Sequence, residues 1–103
     1  MQLRVLLDRS SLGSAEVELA EIVFPAGSDS GDHVHGVTEI SYVLDGELQH
    51  IVGERTETLR RGQVGFVRAN ERVRHKVVPG QPVRALVIWA PGGEAARITA
   101  RWK

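Results

Sequence analysis

Cysteine is absent from this 103-residue chain, so any metal it holds must be bound by imidazole, carboxylate and water. Two of its four histidines, His33 and His35, are separated by one residue and point the same way if that segment is extended. Glu39, four residues further on, has the same parity. His75 lies far along the chain with Val73 and Val77 on its own face, while Arg72, Arg74 and Lys76 take the opposite face. An imidazole set between valines, with charges alternating outward, belongs to an interior. Three imidazoles and one carboxylate converging there make a site for one divalent transition metal ion: iron, manganese, nickel, copper or zinc. Four protein ligands leave one or two positions open on a five- or six-coordinate ion, which suits catalysis more than structural stapling.

His50 is the fourth histidine. It shares a face with Leu48 and Val52, and if that face is internal His50 is a candidate catalytic acid or base, a support for a ligand, or an alternative ligand. The competing register turns Gln49 and Ile51 inward and leaves His50 in solvent. Phe24, Phe66 and Trp89 read as core residues that also suit pocket walls. Ser41 shares the face of Glu39, within reach of its carboxylate. Arg68, at a turn, is either solvated or placed to meet an anion.

These side chains need strands to hold them. Val17, Leu19 and Ile22-Val23-Phe24 predict a strand ending at Pro25, which has no N–H to offer a ladder. Residues 25–36, rich in Gly, Ser and Asp, read as loop. Thr38 to Leu44 predicts a strand with Glu39, Ser41 and Val43 on one face and Ile40, Tyr42 and Leu44 on the other. Asp45-Gly46 signals a tight turn, followed by strands over Leu48 to Val52, Arg55 to Leu59 and Val64 to Val67. Val73 to Val78, Val83 to Ala90 and Ala95 to Trp102 complete the set. Turns recur about every eight to twelve residues, the rhythm of an all-β sandwich or barrel. No long stretch carries helical spacing, an internal repeat or a linker, so residues 1–103 are expected to form a single all-β domain.

The stretch from Gly27 to Gly46 fits the pattern G-x5-H-x-H-x3-E-x6-G without a gap, and in this it resembles the first motif of the cupin superfamily. The second cupin motif, G-x5-P-x-G-x2-H-x3-N, begins here at Gly62. Arg68 then stands in place of its proline, Asn70 in place of its glycine and Pro79 in place of its asparagine, and His75 comes two residues late. The resemblance implies an antiparallel β-barrel, the double-stranded β-helix or jelly roll. It also implies a metal held by His33, His35 and Glu39 from the first motif and His75 from the second.

Thirteen basic and thirteen acidic residues leave no net charge, so nothing provides the basic excess that a nucleic-acid backbone demands. No apolar run is long enough to cross a bilayer, and the opening MQLRVLLDRSSLG meets Arg4 and Asp8 too soon for a secretory core. A cytoplasmic location is the expectation. Three functions suit such a site, the foremost being a metal-dependent enzyme that carries out dioxygenase-like oxidation of a small organic molecule. The others are a non-redox isomerase, cyclase or sugar-modifying enzyme with His50 moving a proton, and a module that binds a small ligand without turnover. The apolar stripe Ile40, Tyr42, Leu44 would be covered by a second subunit, which predicts a homodimer.

Overall fold

The computed structural model describes residues 1–100. Nine strands run β1 (Gln2–Leu7), β2 (Glu18–Phe24), β3 (His33–Val34), β4 (Thr38–Asp45), β5 (Leu48–Val52), β6 (Arg55–Leu59), β7 (Val64–Val67), β8 (Arg72–Val77) and β9 (Val83–Ala90), followed by the helix α1 (Glu94–Ala100). They form two antiparallel sheets, one ordered β1-β2-β9-β4-β7 and the other β3-β8-β5-β6. Strands adjacent in sequence repeatedly fall in opposite sheets, and the result is a jelly roll.

Strict alternation builds the interior. Ala20, Ile22 and Phe24 of β2, Val83, Ala85, Val87 and Trp89 of β9, and Val43 of β4 pack against Leu48, Leu59 and Val77 from the other sheet. Val52, Val67 and Val73 form a smaller cluster beside them. β-Branched residues supply most of this lining, as suits half-buried pleated strands. Gly46 turns β4 into β5 with φ of 90°, and a Cβ there would stand 2.5 Å from the carbonyl oxygen of Pro82. Only glycine meets both demands.

The boundaries of β2 and of β4 to β9 agree with the sequence pattern to within a residue, with three corrections elsewhere. The short strand β3, His33–Val34, lies inside the stretch 25–36 expected as loop, where it pairs with β8. Gln2–Leu7 forms an edge strand that the pattern does not announce, because its solvent-facing side carries Val5 and Leu6 instead of a clean alternation. The segment beginning at Ala95, expected as a strand, is instead the helix Glu94–Ala100; Trp102 lies outside the described residues. Seven residues are too few for a 3.6-residue period to stand out, but EAARITA is rich in good helix formers and buries Ala95 and Ile98 one turn apart. The buried carboxylate of Glu18 anchors the helix start, accepting hydrogen bonds from the N–H of Ala95 at 2.8 Å and of Gly93 at 3.3 Å.

The outer face of the larger sheet carries apolar rows. Leu19, Ile88, Ile40 and Phe66 lie side by side across β2, β9, β4 and β7, and Leu86, Tyr42 and Val64 form the next row. Tyr42, Val64 and Phe66 are exposed.

Glu18→Ala would leave two N–H groups at the start of α1 without their acceptor, one of them buried. A loss of about 1–3 kcal/mol is expected, read as a lower midpoint in urea unfolding followed by circular dichroism.

Candidate metal centre

Each donor reaches the interior by a different local device. Glu39 and Ser41 point inward from the middle of β4, where Glu39 is flanked across the sheet by Trp89 and Val67. His75 points inward from β8 directly opposite His50 on β5. The Gly-rich loop before β3 runs along β8, tied by hydrogen bonds from Ser30 N–H to the His75 carbonyl at 3.0 Å and from His75 N–H to Ser30 Oγ at 2.9 Å. That docking sets His33 beside His75, with ring centroids 5.5 Å apart. His35 follows at the end of β3, edge-on to His33 at 4.8 Å.

The turn of the second motif departs from its consensus, and the structure shows how it still works. Asn70 stands where glycine is usual and adopts φ of 67°, a conformation that asparagine tolerates better than most residues. Its N–H donates to the His35 carbonyl at 2.7 Å, so the two motifs are joined at a metal-site residue. His75, two residues later than the motif places it, lies inside β8, and the even offset keeps it on the inward face.

The hydrogen bonds fix where the lone pairs lie. His33 Nδ1 is 3.0 Å from the Gly31 carbonyl oxygen, which can only accept, so Nδ1 carries the proton and Nε2 is bare. His35 Nδ1 donates to the carboxylate of Glu94, the first residue of α1, so the neutral ring, the form that ligates a metal, has its Nε2 bare as well. These two bare nitrogens face each other at 3.1 Å. His35 Nε2 also faces Glu39 Oε2 at 3.1 Å. Acceptor faces acceptor at each contact. Glu39 Oε1 and His75 Nε2 stand 3.3 Å apart without hydrogen-bond geometry, and both are buried with no partner. We read their contact as electrostatic, not as a formed hydrogen bond. The one donor aimed at this carboxylate is Trp89 Nε1, 2.9 Å from Oε2. A cation is the partner that such a group lacks, and neutral imidazoles with one carboxylate fit a divalent transition metal.

Burial opposes the charge on Glu39, but His75 and His35 together with the Trp89 hydrogen bond outweigh it and hold the carboxyl below its usual range. Burial lowers the pKa of His33; the Gly31 carbonyl opposes the shift, and His75 and His35 add to it. His50 is pushed down to about 4, mainly by burial and then by neighbouring His75. Its neutral ring is 1% exposed and neither nitrogen has a partner.

His33, His35, Glu39 and His75 all line one cavity of about 200 Å³, with Ser30, Ser41, Ile22, Phe24, Val87 and Trp89 among its other walls. His50 faces inward, which removes the alternative register, but it is not among the residues that line this cavity. Instead it lies beside Glu39 and His75, and one donor atom from each of the three falls within 4.8 Å of the others. Trp89 is a wall and a hydrogen-bond donor at once, so Ser41 is not the partner of Glu39. Arg68 stays outside, its guanidinium 5.1 Å from the Phe66 ring centroid.

Two residues at the site escape sequence reasoning. Glu94 lies in a segment whose pattern suggests a strand, and nothing local marks its carboxylate as buried. Gly65 faces inward from β7, and a Cβ there would meet the His50 ring at 2.9 Å and Leu59 at 2.8 Å. A glycine between Val64 and Phe66 was the available signal.

The cupin-domain family model matches residues 20–89, and the chain belongs to that family. Among solved structures it is similar to an RmlC-like cupin from Shewanella frigidimarina, at 22% identity over 80% of this chain and 72% of that one, with a TM-score of 0.72. It is also similar to TT1209 from Thermus thermophilus, at 28% identity over 76% of this chain and 75% of that one, TM-score 0.69. A third is the polyketide cyclase RemF from Streptomyces resistomycificus, at 26% identity over 87% of this chain and 64% of that one, TM-score 0.77. No curated protein matches the chain in sequence. Among the described residues, no helix is long and apolar enough to cross a membrane.

The depressed pKa of His50 sets a pH dependence. The unfolded chain takes up this proton near pH 6.5 and the folded protein only near 4, so the stabilisation is complete above 6.5 and is lost as pH falls through that window. Metal-free protein should lose on the order of 3 kcal/mol from this group between those limits. Chemical denaturation across pH 4–7 should show the slope in the wild type and a shallower one in His50→Leu.

Proposed function

We propose that this chain is a mononuclear metal-dependent cupin that oxidises a small organic molecule by dioxygenase-like chemistry. The observation that carries the reading is the convergence of bare Nε2 atoms and an under-partnered carboxylate on the wall of a small cavity that is otherwise largely apolar. His33, His35, Glu39 and His75 would hold the ion. A bound divalent metal supplies open positions for dioxygen and substrate and lowers the pKa of coordinated water.

The chain's own residues do the rest. Glu94 and the Gly31 carbonyl hold His35 and His33 in the tautomers that present Nε2 to the cavity. Trp89 steadies the Glu39 carboxylate. Ile22, Phe24, Val87 and Ile98 exclude water from a bound apolar molecule and set its size, a compact ring or short chain. In a dioxygenation both oxygen atoms end in the substrate, which supplies all the electrons, so no separate reductant is needed. The non-redox reading asks His50 to move a proton on the substrate, and its position outside the cavity lining weighs against that role. The similarity to a polyketide cyclase supports a small organic substrate without deciding the reaction.

Elemental analysis of untagged protein should find about one transition metal ion per chain, reduced at least several-fold in His75→Ala and in His33→Ala while both stay folded. Full occupancy in both variants would sink the ligand assignment. With iron(II) loaded anaerobically, a panel of small catechols, diketones and thiols should give substrate-dependent oxygen uptake. Uptake with none of them, alongside metal-dependent isomerisation or cyclisation of a panel member, would move the reading to Lewis-acid chemistry.

The proposal includes a second copy of the chain seated on the apolar rows of the larger sheet, covering Tyr42, Val64 and Phe66. Light scattering at micromolar concentration should return a dimer mass for the wild type and a monomer mass for Phe66→Glu. A monomeric wild type would refute this part.

A further inference from the structure

His50 is costly as it stands. A buried imidazole with two unpaired nitrogens gives up the hydrogen bonds it had in water and gains none in return. The barrel also makes room for it deliberately, since Gly65 is the only residue type whose side chain leaves space for the His50 ring beside Leu59. A leucine or valine at position 50 would fill the space between Leu48 and Val52 without that cost. Something must recover it in the working protein.

The neighbours of His50 show what that is. Among the described residues, Glu39 Oε1 and His75 Nε2 are the other buried side-chain atoms without a partner, and they belong to the two side chains grouped with His50. One donor atom from each of Glu39, His50 and His75 lies within 4.8 Å of the other two, and a small inward turn of the side chains would bring them within the roughly 4.2 Å that two metal–ligand bonds of about 2.1 Å can span. The three side chains are all buried, and β5 and β8 hold His50 and His75 in register across the sheet, with ring centroids 5.4 Å apart.

We propose that His50 is a metal ligand of this chain, forming with Glu39 and His75 an inner donor triad on the side of the centre away from the cavity. The proposal rests on the metal-centre reading above and extends it to a residue outside the cupin motif. With one carboxylate, Glu39, common to both, the inner triad and the His33–His35 pair would hold a single ion, leaving it one open position beside the cavity, where the walls would hold the substrate. The His33–His35 side of the centre then faces the cavity, where exchange with solvent and substrate takes place.

The test uses the full chain, stripped of metal and titrated with cobalt(II) against a chromophoric chelator. His50→Leu should stay folded and bind cobalt(II) about ten-fold more weakly or worse, with altered ligand-field bands. Unchanged affinity and bands in folded His50→Leu would overturn the proposal while leaving the metal centre intact. Failure of the wild type to bind cobalt(II) or zinc(II) would overturn both readings together. Nitrogen-15 spectra of the histidine rings in wild-type protein provide a measurement that needs no variant to fold. On loading with zinc(II), the His50 ring should shift along with those of His33, His35 and His75. A His50 ring signal that stays put while the others move would equally overturn it.

Discussion

Electron pairs that face one another with no proton between them are the constraint around which this barrel is arranged. His33 Nε2, His35 Nε2 and the oxygens of Glu39 stand at hydrogen-bond distance with no donor among them, because the Gly31 carbonyl and Glu94 have already taken the imidazole protons. In a low-dielectric interior such an arrangement is repulsive unless a positive charge completes it. The rest of the fold works to hold it against that repulsion. The β4–β9 ladder fixes Glu39 beside Trp89, the docked loop fixes His33 beside His75, and the Asn70 turn clasps the His35 backbone.

Away from the donors the interior is apolar: Val43, Val67, Val73, Val83 and Leu48 are each fully buried. The cupin family supplies the scaffold, and three residues that are not ligands of its motifs bear on this site: His50, Gly65 and Glu94. Gly65 vacates space, His50 occupies it, and Glu94 reaches in from the helix α1, whose Ala95 and Ile98 join the core.

Much of this could be read before any coordinates. Alternation over β4, β5, β8 and β9 is strong because each strand has one face in the core and one toward solvent, and the parity of His33, His35, Glu39 and His75 follows from it. The orientation of His50 stayed open because Gln49 and Ile51 offered a credible rival register; pairing with β8, which sets His50 against His75, decides it. The C-terminal segment was misread because a single helical turn pair has no visible period, and what makes it a helix is the distant Glu18 carboxylate. Glu94 was invisible for the same reason. Its role depends on a contact with His35 that spans 59 residues of sequence, and no local pattern encodes such a contact. The His33 tautomer likewise depends on a loop carbonyl whose direction only three-dimensional structure gives.

Met1 and Ile98, near the two ends of the chain, both help to wall the cavity. The strands thus fix the donors, while Met1 and Ile98 add to the wall formed by Ile22, Phe24, Val87 and Trp89, so a substitution at either would reshape the cavity without replacing a donor. A histidine tag placed ahead of Met1 would stand at the doorway of a transition-metal site, carrying competing imidazoles of its own.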